Sequence, residues 1–136
     1  MDIDPLLTVL KDALPKIKEF GGAEDLPDAQ KSFRKVPAIF VVPSGKAGTT
    51  NSTNYGVIDQ KITQRFSILA VFKNPSLGDL HETDQAIMDA VIGWSHPSIY
   101  KETKSEQAEF INQRTINLRG YLATSLDFQL TYHFRK

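Results

Sequence analysis

The stretch from Val36 to Phe72 constrains the fold more than any other part of the chain. It reads VPAIFVVP, then SGKAGTTNSTNYG, then VIDQKITQRFSILAVF. Two strand-like segments flank a polar connection of thirteen residues, Ser44 to Gly56, with three Gly, three Thr, two Asn and two Ser. A connection this long inside a small domain is usually functional or disordered. The segment after it is also long for a strand, where about five or six residues is typical. Such a hairpin, soft and polar at its tip, suits contact across a subunit boundary.

Val36 to Val42 is apolar on both alternating faces, which predicts a central strand covered on each side, or one covered by a neighbouring subunit. Pro37 and Pro43 bracket it and limit pairing at its ends. In the next strand Ile62, Phe66, Ile68, Ala70 and Phe72 share one face, with Gln64 as its polar member. Lys61, Thr63, Arg65 and Ser67 share the other until Leu69 and Val71 turn it apolar. The strand is therefore expected to begin half exposed, beside the polar loop, and to end buried.

Asp4 before Pro5 predicts a helix start with Asp4 as N-cap. Leu6, Leu7, Val9, Leu10, Ala13 and Leu14 give that helix an apolar face, and Pro15 ends it near Asp12 to Leu14. Ile17 to Phe20 is expected as an edge strand with Gly21-Gly22 as its turn. Residues 24–32 are expected to be irregular or a single helical turn. Ser76 with Asp79 resembles a capping box. After it Leu77, Leu80, Ile87, Val91 and Trp94 fall at helical spacing, interrupted by Asp84, and Gly93 and Pro97 stop the helix. Residues 98–109 read as a surface loop. Residues 110–118 read as a strand, Arg119-Gly120 as a turn, and the end of the chain as a strongly alternating strand. Leu122, Leu126, Phe128, Leu130, Tyr132 and Phe134 lie on one face of that last strand. Ala123, Ser125, Asp127, Gln129, Thr131, His133 and Arg135 lie on the other. The resulting expectation is one α+β domain over residues 1–136, with a mostly antiparallel sheet of four to five strands and two helices packed on one face. A core of Ile62, Phe66, Ile68, Phe72, Leu126, Phe128, Leu130, Ile87 and Val91 follows from the matching faces.

Chemistry is not signalled. With 40% apolar and 24% charged residues, a folded soluble domain is expected. Sixteen basic residues balance sixteen acidic ones, without the basic excess of a dedicated nucleic-acid binder. The lack of cysteine removes disulfides and thiolate metal sites. Met1 to Leu10 has no basic region ahead of its apolar residues, so no signal peptide is expected, and the apolar runs are too short to span a bilayer. His81, with Asp79, Glu82 and Asp84 near it, lacks marked further ligands and reads as a surface histidine. His133 reads as exposed or at an interface. Gly45-Lys46-Ala47-Gly48-Thr49-Thr50 has the wrong glycine spacing for a phosphate loop and precedes a strand rather than a helix. No nucleophile elbow surrounds a serine. Trp94 reads as a core or interface anchor, and Lys16, Lys18, Lys31, Arg34 and Lys35 as a solvated basic cluster. No catalytic residue, cofactor or metal is expected. The candidate interface is Ser44, Gly45, Lys46, Gly48, Thr49, Thr50, Asn51, Asn54 and Tyr55.

The order of these segments resembles the tail terminator proteins of tailed bacteriophages. There a proline-bracketed apolar strand leads into a glycine-rich loop, a strand of the form T-x-x-F-x-v-x-v follows, and the next helix closes on Gly-Trp. Here those positions are Pro37 and Pro43, Gly45 and Gly48, Thr63 and Phe66, and Gly93-Trp94; Gly21-Gly22-Ala23 is a further match. The resemblance implies a virion protein, not an enzyme, built as a homo-oligomeric ring, usually of six copies. Such a ring caps the tail tube, stops its growth and meets neck or head-completion proteins, with DNA passing through its lumen without specific binding. It implies a place at the tail–neck junction of the virion, with assembly in the host cytoplasm and no membrane. A neck or head–tail connector protein is the alternative within virion assembly. A small hydrolase and a host-derived oligomeric binding module are the alternatives outside it.

Overall fold

The computed structural model describes residues 1–25, 36–49, 58–118 and 120–136. Helix α1 (Asp4–Ala13) is followed by strand β1 (Glu19–Gly22) and a 3-10 turn (Ala23–Asp25). Strands β2 (Ala38–Gly48) and β3 (Asp59–Phe72) come next, then helix α2 (Leu77–Val91) and strands β4 (Glu109–Leu118) and β5 (Tyr121–Arg135). The five strands form one sheet in the order β1-β2-β3-β5-β4. β1 runs parallel to β2 and every other pair is antiparallel. The α+β expectation holds, with a mixed, mostly antiparallel sheet.

Both helices cover one face. Leu6 and Leu10 of α1 and Ile87 and Val91 of α2 are buried against Ile39, Val41, Phe66, Ile68, Phe72, Leu126, Phe128 and Leu130. Each such side chain removed from water stabilises by about 1.5–3 kcal/mol. Phe128 is the centre: its ring stacks on Phe66 at 5.6 Å and meets Phe110 edge-on at 5.7 Å. The expected core is present except that Ile62 is only half buried. On the opposite face Ala38, Phe40, Leu69, Val71 and Ala123 form a second buried cluster at the other end of the sheet. β3 thus starts half exposed and ends buried on both faces, following its alternation.

Several expectations are corrected. Ile3, not Asp4, is the N-cap of α1; Asp4 lies in the first turn, and its N–H donates to the Asp2 carboxylate at 3.1 Å. Gly21 and Gly22 lie within β1 rather than in a turn, paired with Phe40 and Val41. Gly22 is close-packed there, since a β-carbon would come within 2.6 Å of the Ile3 side chain. Leu77 shares the helical stripe of α2 yet is 85% exposed, because it sits at the helix's first position, off the sheet. Residues 93–108 form an excursion that folds back on itself. The Gly93 N–H donates to the Ala108 carbonyl, the Ala108 N–H to Trp94 and the Ser105 N–H to His96. Tyr100 from this excursion packs on Phe134 at 4.6 Å and Tyr132 at 6.3 Å, covering the far end of β5.

Candidate assembly surface

The polar stretch after Val42 does not leave the sheet at Ser44. β2 continues to Gly48, with a one-residue bulge at Ser44: Pro43 faces Phe66 and Gly45 faces Arg65. Gly45 has φ +153°, a conformation that favours glycine, and open space where a β-carbon would stand. The bulge is held from below by Gln64, whose side-chain amide donates to the Gly45 carbonyl at 3.0 Å and the Arg65 carbonyl at 2.9 Å. Gln64 is 2% exposed, and its Oε1 accepts no hydrogen bond from the described residues. Burying an acceptor without a partner costs about 1–3 kcal/mol. The two bonds to main-chain carbonyls offset that cost by fixing where β2 bulges.

Beyond the bulge the hairpin is closed by Thr49, whose N–H donates to the Lys61 carbonyl at 3.0 Å. The Gln60 amide crosses to the Thr49 carbonyl at 2.7 Å. Gly48 leaves room for this crossing, because a β-carbon there would lie 2.6 Å from the Gln60 amide nitrogen. Ser44, Gly45, Lys46, Ala47, Gly48 and Thr49 are all exposed. Of the candidate interface residues, Ser44, Gly45, Lys46 and Gly48 therefore lie on a strand, and Thr49 directly follows it. Thr50, Asn51, Asn54 and Tyr55 lie outside the described residues, as do Lys31, Arg34 and Lys35 of the basic cluster.

The helices stop short of this end of the sheet, where β2, β3 and β5 run on as a three-stranded finger. Its distal end carries an ionic group that sequence reading missed. The Asp59 carboxylate meets His133 Nδ1 at 2.9 Å and Arg135 Nε at 3.3 Å. These partners are 74 and 76 residues away in sequence and become neighbours only through the β3–β5 register. The hydrogen bond from His133, then Arg135, holds the Asp59 carboxyl below the ordinary carboxylate range, against the opposing effect of burial. Further along the helix-free face, Asp127 accepts from Ser67 at 2.6 Å and lies 3.7 Å from Arg114. These residues stitch β3, β5 and β4 together.

Two other polar groups serve the fold. His96 is fully buried. The Ser98 N–H donates to its Nδ1 at 3.1 Å, so the proton sits on Nε2, which donates to the Asp2 carbonyl at 2.6 Å. That ring ties the start of the chain to the 93–108 excursion. Asp84, which interrupts the stripe of α2, points at the sheet and accepts from the Thr124 hydroxyl at 2.8 Å. Burial pushes its carboxyl above the ordinary range, and the Thr124 bond and His81 oppose that only in part. His81 itself is exposed, as expected. Among the described residues no group of three or more His, Asp or Glu side chains is placed to hold a metal ion. No helix among them is long and apolar enough to cross a membrane. A groove of about 470 Å³ lies between the end of α1, the β3–α2 connection and the first half of α2, lined by Leu14, Ile17, Phe72, Pro75 and Ala86 among others.

No curated protein matches the sequence. Among solved structures, a chain from the virion of a native gene transfer agent particle shares the fold, with a TM-score of 0.55 at 11% identity. The likeness covers 93% of this chain and 85% of that one, and at this identity it is a likeness of fold alone. The model of the phage tail terminator protein family matches residues 1–136, and the chain belongs to that family, one of structural phage virion proteins rather than enzymes.

Proposed function

We propose that this protein is a ring-forming tail terminator that caps the tail tube, ends its growth and meets the neck or head-completion proteins at the tail–neck junction. The observation that supports this is family membership over the whole chain. The geometry agrees with it: the sheet outruns its helices, and the β2 edge of that end, Ser44 to Thr49, is polar and exposed. In this reading Ser44, Gly45, Lys46, Gly48 and Thr49, with Thr50, Asn51, Asn54 and Tyr55 of the hairpin tip, meet a neighbouring subunit or the end of the tube. Backbone amides, hydroxyls and side-chain amides suit a wet, specific contact, and Tyr55 supplies an aromatic anchor with a polar tip. Six copies around an open lumen would leave passage for DNA.

The test is direct. Purified protein is imaged for rings and weighed by analytical ultracentrifugation, then added to polymerising tail tube protein. Rings at tube ends and arrested elongation are expected. Tubes that grow unchanged while the protein stays in solution would remove the terminator reading and favour the neck connector.

A further inference from the structure

We infer that the ring is built by sheet extension, the exposed edge of β4 on one subunit pairing antiparallel with the exposed distal edge of β2 on the next. The inference rests on the ring proposed above and names the surface that receives the finger.

The register shows which backbone groups point outward. Thr49 bonds to Lys61 of β3, so the N–H and C=O groups of Lys46 and Gly48 face away from the sheet. β1 pairs only with Ala38–Val41 and leaves them open. On the opposite edge the Glu106 N–H reaches the Thr131 carbonyl, so odd-numbered residues of β5 face β4. The groups of Gln113, Thr115 and Asn117 then point outward from β4. All five residues are exposed, and their outward groups have no partner among the described residues.

Soluble proteins normally blunt a long edge with lysine, proline or a bulge. Asn112 to Asn117 is regular, has no proline or lysine, and carries one charge, Arg114; the bulge of β4 is behind it, at Ile111. β2 does carry such devices, in Pro43, the Ser44 bulge and Lys46, which disfavour pairing with a copy of itself. The two edges differ, so the contact is heterologous and closes rings rather than dimers.

Strand direction permits the pairing, since β2 and β4 run oppositely within one sheet. Gly48 opposite Gln113 and Lys46 opposite Thr115 bring the outward groups face to face. Gly45, Ala47 and Gly48 then leave room for the longer side chains of β4. In the same register Leu118, the last residue of β4, lies opposite Pro43, past Ala38–Val41 where β1 of that neighbour sits and next to the 3-10 turn Ala23–Asp25 that follows β1 along β2. The two edges are offset along the sheet by about six residues, about 20 Å, across four strand spacings of about 4.8 Å. Rotation alone joins them when strands tilt about 45° to the ring axis, a tilt that closed barrels use.

The test compares wild type with Thr115→Pro, which removes an outward N–H, and Thr115→Lys, which sets a second lysine against Lys46. Thermal melts check that each variant folds. Both variants are expected to lose rings in ultracentrifugation, each interface weakening by at least about tenfold. Adding Lys46→Glu to Thr115→Lys is expected to restore them. Rings formed by both single variants as by wild type, or no restoration by the double variant, would overturn the edge pairing and leave the ring reading standing. A wild-type protein that stays monomeric at every concentration and at tube ends would remove the ring reading, and this inference with it.

Discussion

At the scale of single residues, stability is concentrated where the two faces of β3 and β5 meet the helices. Phe128 is fully buried between Phe66 and Phe110. Phe128→Ala is expected to cost about 3–5 kcal/mol, read from denaturant unfolding. An unchanged midpoint would show that the ring does not anchor the core. Asp84 acts in the opposite sense. Its carboxyl is raised by burial, so the folded state holds the proton more tightly than the unfolded chain does. Stability from this group is present below the ordinary carboxylate value of 3.8 and declines as pH rises through the raised folded value. Asp84→Asn keeps an oxygen for the Thr124 hydroxyl and removes the charge. It is expected to melt at or above the wild-type temperature at neutral pH, with the difference vanishing in acid. A variant less stable at neutral pH would mean that the charge itself is needed. Asp59 titrates the other way: its contribution is present above 3.8 and disappears as pH falls through its lowered folded value.

At the scale of elements, local signals decide some boundaries and tertiary pairing decides the rest. Helix α2 begins with a full capping box: the Asp79 N–H donates to Ser76 Oγ at 3.0 Å, and the Ser76 N–H to the Asp79 carboxylate at 3.3 Å. Ser76→Ala is expected to cost about 1 kcal/mol of stability, and no change on melting would show that solvent replaces the cap. That start was legible because both partners lie within one turn. The faces of β3 and β5 were legible because alternation survives over fourteen and fifteen residues. The far half of β2 was not, since Ser-Gly-Lys-Ala-Gly has low strand propensity and is a strand only through its pairing with β3 and the Gln64 amide beneath it. The bulge at Ser44 shifts side chains to the other face, so alternation could not reveal it. For the same reason the local form of the candidate surface was not legible: Gly45 and Lys46 read as parts of a loop, whereas they lie on a strand at the edge of the sheet. The Asp59–His133–Arg135 group and buried His96 depend on residues far apart in sequence and left no local trace. The excursion over residues 93–108 was also hidden, because its buried Ser105 and Ala108 carry too little apolar signal.

At the scale of the whole molecule, the charge balance bears on what can pass through a ring of such subunits. Affinity for duplex DNA comes mainly from phosphate contacts that release counterions, and each contact steepens the loss of affinity with salt. Here sixteen cationic side chains meet sixteen anionic ones. On the helix-free face two arginines are already engaged, Arg114 with Asp127 at 3.7 Å and Arg135 with Asp59 at 3.3 Å. Lys61 and Arg65 are the cations of that face's β3 row, and neither meets a carboxylate among the described residues. Two such groups per subunit can steer a duplex but cannot hold it against mobile ions. Duplex binding is therefore expected to be weak at physiological salt, no tighter than the roughly 10⁻⁴–10⁻⁶ M of non-specific binders, with a shallow salt dependence. Fluorescence anisotropy of a labelled duplex, titrated with protein at several salt concentrations, measures both. Nanomolar affinity with a steep slope would mean that the protein grips DNA, a property incompatible with the proposed role of a ring that lets DNA pass. Loss of that affinity in Lys61→Glu and Arg65→Glu variants would then locate the grip on the sheet face rather than on the hairpin.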